Sequence, residues 1–216
     1  MKQYILTILL ASLGFFNLHA QAIELSGYGG YMVSGKSTYY DGEIDVYDGG
    51  VFGGTLGYDL GNGMQVQFLY NRNSASGRII YYPAFQEIEL YDFDLVTEHY
   101  HLGVEKLLGG NEMIRPYGAM SLGVVAYTPK NVRSDDNSNF HDLDAVTRFS
   151  MGAGLGVKIF PTEKIGIKLQ AKMFMPLMFS GVGIFCGTGG CGGGSSFYVP
   201  IVHGEFSGGV VLRIAQ

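Results

Sequence analysis

Between positions 203 and 207 the chain carries His203, Glu205 and Ser207: a base, a carboxylate and a hydroxyl. Nucleophilic catalysis asks for such a trio, a hydroxyl with a base beside it and a group that orients the base. The spacing argues against it. Residues i, i+2 and i+4 of a strand share one face but spread over roughly 13 Å, too far for a proton relay unless neighbouring strands supply partners. His99 and His101 are partners of the right type. A second candidate, Gly152-Ala153-Gly154-Leu155-Gly156, resembles a dinucleotide-binding loop in composition. Its glycines recur at every second position, however, and no helical pattern follows, whereas that loop needs a strand, a turn and then a helix. Alternating glycines on one face of a strand are expected instead. No catalytic residue, metal site or cofactor is assigned.

The elements that hold these residues follow from the whole composition. Glycine accounts for 34 of 216 residues, roughly twice the usual share of about 7%. Charged residues make up 15%, against a typical level of about 25%. Hydrophobics at 47% exclude intrinsic disorder, two cysteines exclude a disulfide scaffold, and six prolines exclude collagen.

Residues 1–22, MKQYILTILLASLGFFNLHAQA, have a basic start at Lys2, an apolar stretch from Ile5 to Phe16 and small residues at Ala20 and Ala22. This is the pattern of a cleaved secretory signal peptide, with cleavage expected after Ala20 or Ala22. Loss of Lys2 leaves 13 basic against 19 acidic residues, a net charge of −6 that argues against a nucleic-acid partner. No later stretch is apolar for long enough to form a transmembrane helix. Export also bears on Cys186 and Cys191, which lie in the glycine-rich run FCGTGGCGGG. An oxidising compartment favours a disulfide there, with free thiols or a metal as alternatives. The ring is short, so the expected stabilisation is about 2 kcal/mol.

From residue 23 onward the chain alternates with a period of two. In 148–160, Phe149, Met151, Ala153, Leu155, Val157 and Ile159 oppose a face that is small or charged apart from Phe160. In 164–175, Ile165, Ile167, Leu169, Ala171, Met173 and Met175 oppose Gly166, Lys168, Gln170 and Lys172. Similar segments lie at 23–34, 50–60, 64–71, 94–106, 114–125 and 202–214, which makes eight candidate strands. The connections alternate. Those near 61–63, 108–111 and 161–163 are short; those near 35–46, 76–88, 128–142 and 177–200 are long. Short turns at one end and long loops at the other describe an up-and-down transmembrane β-barrel, with both termini at the short-turn end. Ten residues tilted near 40° climb roughly 25 Å, the height of the apolar band of such a barrel.

A soluble calyx would share the strand count but turn its bulky apolar face inward. Here the opposite face is too small to be an exterior and suits a narrow eight-strand lumen. It carries mixed charges: Glu24 and Glu205 against Arg115, Lys158, Lys168, Lys172 and Arg213. Enclosed together, these are expected to pair as a lumen charge network, as burial requires. Tyr31, Tyr58, Tyr70 and Phe149 fall near strand ends on the lipid face, where aromatic girdles sit, although the general preference of aromatics for strands accounts for them equally well. In the fourth segment His99, His101 and Gly103 face inward, which puts Glu98 on the lipid side. A bulge near Glu98 or a position at the rim would relieve this. The fourth and eighth segments also stand on opposite walls of an eight-strand ring, so His99 and His101 are expected to lie away from His203.

At this level the chain resembles the small outer-membrane β-barrel proteins of Gram-negative bacteria, the OmpA/OmpX/OmpW-like group. The resemblance rests on SGYGGYMVSG (26–35), VFGGTLGYDLGNGMQVQFLYNRNS (51–74), YHLGVEKLL (100–108), IRPYGAMSLGVVAY (114–127), RFSMGAGLGVKIF (148–160) and GEFSGGVVLRIAQ (204–216). It implies an all-β, eight-stranded antiparallel barrel in the bacterial outer membrane, inserted by the barrel-assembly machinery. Such chains commonly end in an aromatic residue, whereas this one ends Ile214-Ala215-Gln216. No peptidoglycan-binding domain is expected after the last strand.

The expected partners are outer-membrane lipid and lipopolysaccharide, with a surface ligand undefined. Asp41, Glu43, Asp45 and Asp48, and Asp135, Asp136, Asp142 and Asp144, offer oxygen ligands for cations that bridge lipopolysaccharide phosphates. No ligand spacing among them is diagnostic, and solvated loops are expected. Tyr39, Tyr40, Tyr81 and Tyr82 suit surface contacts. A structural or surface-interaction role through four extracellular loops is the primary expectation. A narrow channel or carrier is the alternative, and a lipid-modifying enzyme ranks third.

Overall fold

The computed structural model describes residues 23–39, 42–81, 89–134, 144–187, 190–199 and 201–214. Residues 1–22, expected to be a signal segment, lie outside them, as do Asp41, Asp135, Asp136, Asp142, Tyr40 and Tyr82. The described elements are all strands: β1 (Ile23–Val33), β2 (Lys36–Tyr39), β3 (Gly42–Val46), β4 (Gly49–Gly61), β5 (Met64–Tyr81), β6 (Glu89–Leu107), β7 (Ile114–Ser134), β8 (Val146–Ile159), β9 (Ile165–Gly187), β10 (Gly190–Tyr198) and β11 (His203–Ile214).

Eight of them close a ring. Each of β4 to β9 pairs antiparallel with the next in sequence, β9 pairs with β11, and β1 pairs with both β11 and β4. Ile23 faces Ile214 on one side and Tyr58 on the other, so the first and last strands close the barrel in register. Closure satisfies every backbone edge, the condition for a sheet to cross a bilayer.

The alternation sorts as lipid outside requires. Leu56, Leu102, Met120, Leu122, Ile165, Leu169, Phe206 and Val210 are each at least half exposed on the outer wall. Their strand neighbours Thr55, His101, Lys168, Gln170 and Glu205 are buried inside. An eight-stranded lumen is just wide enough to be filled by side chains, so polar groups here pack against one another.

The short-turn end is tight. Gly61, Asn62 and Gly63 all take positive φ (82°, 53° and 67°), a left-handed run that two glycines and an asparagine permit. The long-loop end differs from the sequence expectation. Residues 76–81, 128–134 and 177–187 are strand rather than loop, β6 begins at Glu89, ahead of the expected 94, and β2–β3 and β9–β10 form hairpins. Past the membrane both faces of a strand meet water, so the two-residue hydrophobic signal fades while cross-strand hydrogen bonding continues.

Glu98 lies on the outer wall without a bulge beside it. The pairing of β6 runs unbroken from Asp94 to Leu107 against β7, and the irregularity falls between Asp92 and Asp94. Glu98 stands nine residues above the end of β6, roughly 23 Å along the barrel axis and so near the upper edge of the apolar band. There it accepts a hydrogen bond from Tyr70 Oη (2.9 Å) and lies 3.7 Å from Arg72 Nη1. At that depth an acid costs little. Glu98→Ala is expected to shift the unfolding free energy by less than about 1 kcal/mol in a urea titration of detergent-folded protein. A loss of several kcal/mol would place the residue deep in the apolar band instead.

Candidate functional site: the packed lumen

Three tiers of side chains fill the lumen. At the short-turn end Glu24 (β1) accepts from Arg213 Nη2 (2.7 Å) and Nε (3.1 Å) on β11, from Lys158 Nζ (2.5 Å) on β8, and from Gln65 Nε2 (3.2 Å) on β5. Lys158 also pairs with Glu105 of β6, whose other oxygen is 3.4 Å from Lys168 Nζ on β9. Lys158 donates a further bond to Gln65 Oε1 (3.1 Å). Both ammonium groups lie over the Tyr117 ring, at 5.4 and 5.0 Å from its centroid. Five strands thus meet in one ion-pair cluster. Phe160, the exception on its face, closes the tier from below, with the guanidinium of Arg213 4.2 Å and that of Arg115 5.3 Å from its centroid.

The middle tier centres on Glu205. It accepts from Asn71 Nδ2 (2.6 Å), Ser207 Oγ (2.5 Å) and Gln170 Nε2 (3.4 Å), and Lys172 Nζ lies 3.9 Å away. Tyr117 Oη donates to Gln170 Oε1 (3.1 Å). Lys172 Nζ sits 4.3 Å from the Tyr28 ring centroid and makes no hydrogen bond among the described residues.

The upper tier is aromatic. Phe174 stacks on His99 at 4.4 Å and meets His101 edge-on at 5.2 Å. His203 lies 5.9 Å from His99, centroid to centroid. Its ring nitrogens are 3.1 Å from Ser34 Oγ and 2.8 Å from Tyr127 Oη.

Of the charges that the sequence places in the lumen, Glu24, Lys158, Lys168 and Arg213 gather in one cluster, and Lys172 and Glu205 form a second. Arg115 pairs with no carboxylate among the described residues; its Nε bonds the Glu112 carbonyl (3.1 Å) and its guanidinium lies over Phe160. Sequence reasoning missed Glu105, which is 2% exposed and joins the two lysines. The inward series 99, 101, 103 continued by one step would have found it.

One geometric expectation is corrected. His99 and His203 do stand on opposite walls, yet their rings are neighbours, because inward side chains of an eight-strand barrel reach across its axis. The meeting builds no nucleophile relay with Ser207, whose hydroxyl bonds Glu205 and Gln170 while His203 turns to Ser34 and Tyr127.

Little space is left between the tiers. Cavities of about 20 Å³ beside Glu24 and Glu105 and about 10 Å³ beside Lys172 and Phe174 have room for about one water each. Sequence and structural comparisons bear on the same architecture. Residues 8–173 match the family model "Outer membrane protein beta-barrel domain", which is more than half of the chain. No curated protein sequence matches. Among solved structures the chain is similar to Neisserial surface protein A (NspA), with 14% identity, 89% of this chain and 99% of that one covered, and a TM-score of 0.56. OprG of Pseudomonas aeruginosa is also 14% identical, with 88% and 96% covered and a TM-score of 0.55. Ail of Yersinia pestis, solved with the heparin analogue sucrose octasulfate, is 14% identical, with 91% and 100% covered and a TM-score of 0.50. At these identities the likeness is one of fold, an eight-stranded outer-membrane barrel. With the family match over most of its length and a closed ring that turns its apolar wall outward, the chain belongs to the outer-membrane β-barrel family.

Proposed function

We propose that this protein works at the cell surface through the hairpins at its long-loop end, and that its lumen is a structural plug. The filling of the lumen supports this reading, since ion pairs and stacked rings pack it, with cavities of about 20 and 10 Å³ among the described residues. A permeation path would need those interlocked side chains to part. The strands that continue past the apolar band as β2–β3, β5–β6 and β9–β10 supply a rigid platform instead.

The platform carries paired charges of both signs. Lys36 Nζ lies 2.8 Å from Asp45 and 3.6 Å from Glu43, which hold its ammonium above the ordinary lysine value. Arg78 bonds Asp92 through Nε at 2.7 Å. Backbone register sets Cys186 opposite Cys191 in the β9–β10 hairpin. Directly opposed residues of an antiparallel pair stand at a separation a disulfide can span, which supports a covalent clasp at that hairpin.

In this reading a cleaved leader exports the chain and the barrel-assembly machinery inserts it. Outer-membrane lipid and lipopolysaccharide surround it, and the surface ligand is undefined. No enzymatic step is part of the proposal. Planar-bilayer recording tests it directly: folded protein, verified by heat-modifiable migration on a denaturing gel, is expected to insert without discrete conductance steps. Reproducible steps would move the function to the channel reading.

A further inference from the structure

A groove of about 810 Å³ runs across the outer wall from β6 to β11. Two neighbouring rows of cross-strand partners build it. One row is Val104, Met120, Ala153, Met173 and Gly204. The other is Lys106, Gly118, Leu155, Ala171 and Phe206. From Met120 and Gly118 onward, large and small residues alternate out of phase between the rows. The small positions Gly118, Ala153, Ala171 and Gly204 therefore join into one trough. Met120, Leu155 and Phe206 stand beside it, each more than 60% exposed.

The dimensions of the trough fit an acyl chain. Five strands at about 4.8 Å spacing make the groove, the trough and its β6 end together, roughly 19 Å long. It follows the hydrogen-bond direction, inclined by about the strand tilt of 40°, and so rises roughly 12 Å along the barrel axis. One leaflet of the hydrocarbon core is about 15 Å deep. The trough begins one residue from the end of β6, at the short-turn edge, and climbs from there.

Among the described residues lining the groove, Lys106 is the charged one on the outer wall, at its lower end. Its Nζ is exposed and donates a single hydrogen bond, to the Asn62 carbonyl at 2.6 Å, with no carboxylate paired to it among the described residues. Two N–H donors remain for an anion at headgroup level, where a phosphate is the complementary charge.

We propose that this groove is a resident site for one glycerophospholipid, with an acyl chain in the trough and the phosphate on Lys106. The proposal rests on the outer-membrane reading. It commits to phospholipid because the short-turn end of such barrels faces the periplasm. Native mass spectrometry of the full barrel released from membranes in mild detergent tests it, with heat-modifiable migration reporting folding separately. The wild type is expected to retain one phospholipid and, once delipidated, to rebind one phosphatidylglycerol. Ala153→Phe fills the trough and is expected to abolish retention. Lys106→Gln is expected to weaken rebinding roughly fivefold, the loss of one charge-assisted contact. Gly27→Phe, on a different stretch of outer wall where an added Cβ meets no atom within 4 Å, is expected to leave retention unchanged.

Folded wild type without bound lipid would overturn the proposal. So would equal retention in all variants, which is an unselective lipid annulus. A lipopolysaccharide adduct, or a dimer that Ala153→Phe disrupts, would assign the groove to another occupant. Failure of the wild type to show heat-modifiable migration would instead count against the membrane reading itself.

Discussion

Glu105→Ala is expected to lower the stability of the folded barrel by about 3–5 kcal/mol, the cost of breaking a buried ion pair from one side. Glu105 is 2% exposed and is the carboxylate that Lys158 and Lys168 share. Removing it leaves Lys168 without a carboxylate partner among the described residues in a tightly packed lumen, and leaves Lys158 to Glu24 alone. Glu105→Gln keeps the shape and one acceptor, so its loss should be smaller but still clear. Replacing Glu105, Lys158 and Lys168 together by leucine and methionine is expected to recover much of the loss, because a buried ionic cluster gains little over apolar packing of the same volume. Urea titration of detergent-folded protein, read by gel mobility or tryptic protection, measures all three. If Glu105→Ala costs less than about 1 kcal/mol, water reaches the lumen freely and the sealed-plug reading fails.

The second large effect lies at glycines that look alike in sequence. An added Cβ at Gly209 would overlap the carbonyl oxygen of Gly27 and crowd Tyr28, both on the adjacent strand β1. At Gly27 itself an added Cβ meets nothing within 4 Å, because the position opens outward. Gly209→Val therefore forces backbone to move and should cost about 3 kcal/mol, the upper end for overpacking, or prevent folding. Gly27→Val exchanges a flexible residue for a β-branched one facing lipid and should be neutral or stabilising. Folding yield into detergent, followed by heat-modifiable migration, separates the two. Equal tolerance at both sites would mean that β1 and β11 approach less closely than the structure has them.

Much of the architecture is legible in the chain itself. The alternation of Phe149, Met151, Ala153, Leu155, Val157 and Ile159 with small or charged residues states both the strand and its two environments. That signal is local, since successive side chains of a strand point to opposite faces whatever lies around them. The same alternation places Glu24, Lys158, Lys168, Lys172, Glu205 and Arg213 in the lumen, and small residues on that face report how narrow the lumen is. Up-and-down order and strand number follow from turns that alternate short and long.

Partnership inside the lumen is a different kind of information. Glu24 and Arg213 bond across 189 residues of chain, and Asn71 and Glu205 across 134. The relative height of the strands decides such pairs, and no short stretch of sequence encodes it. His99 and His203 show the same limit, being on opposite walls by strand count and neighbours in space. Lipid-facing grooves depend on it as well, because Gly118, Ala153, Ala171 and Gly204 belong to four strands that only the sheet register aligns. Fold class, strand order and the lipid-facing side are encoded locally, because a period of two and a lumen's volume are properties of single strands. Which buried charges pair, how they pack the lumen and where the outer wall is hollow come from the assembled sheet, because these depend on the stagger between strands far apart in the chain.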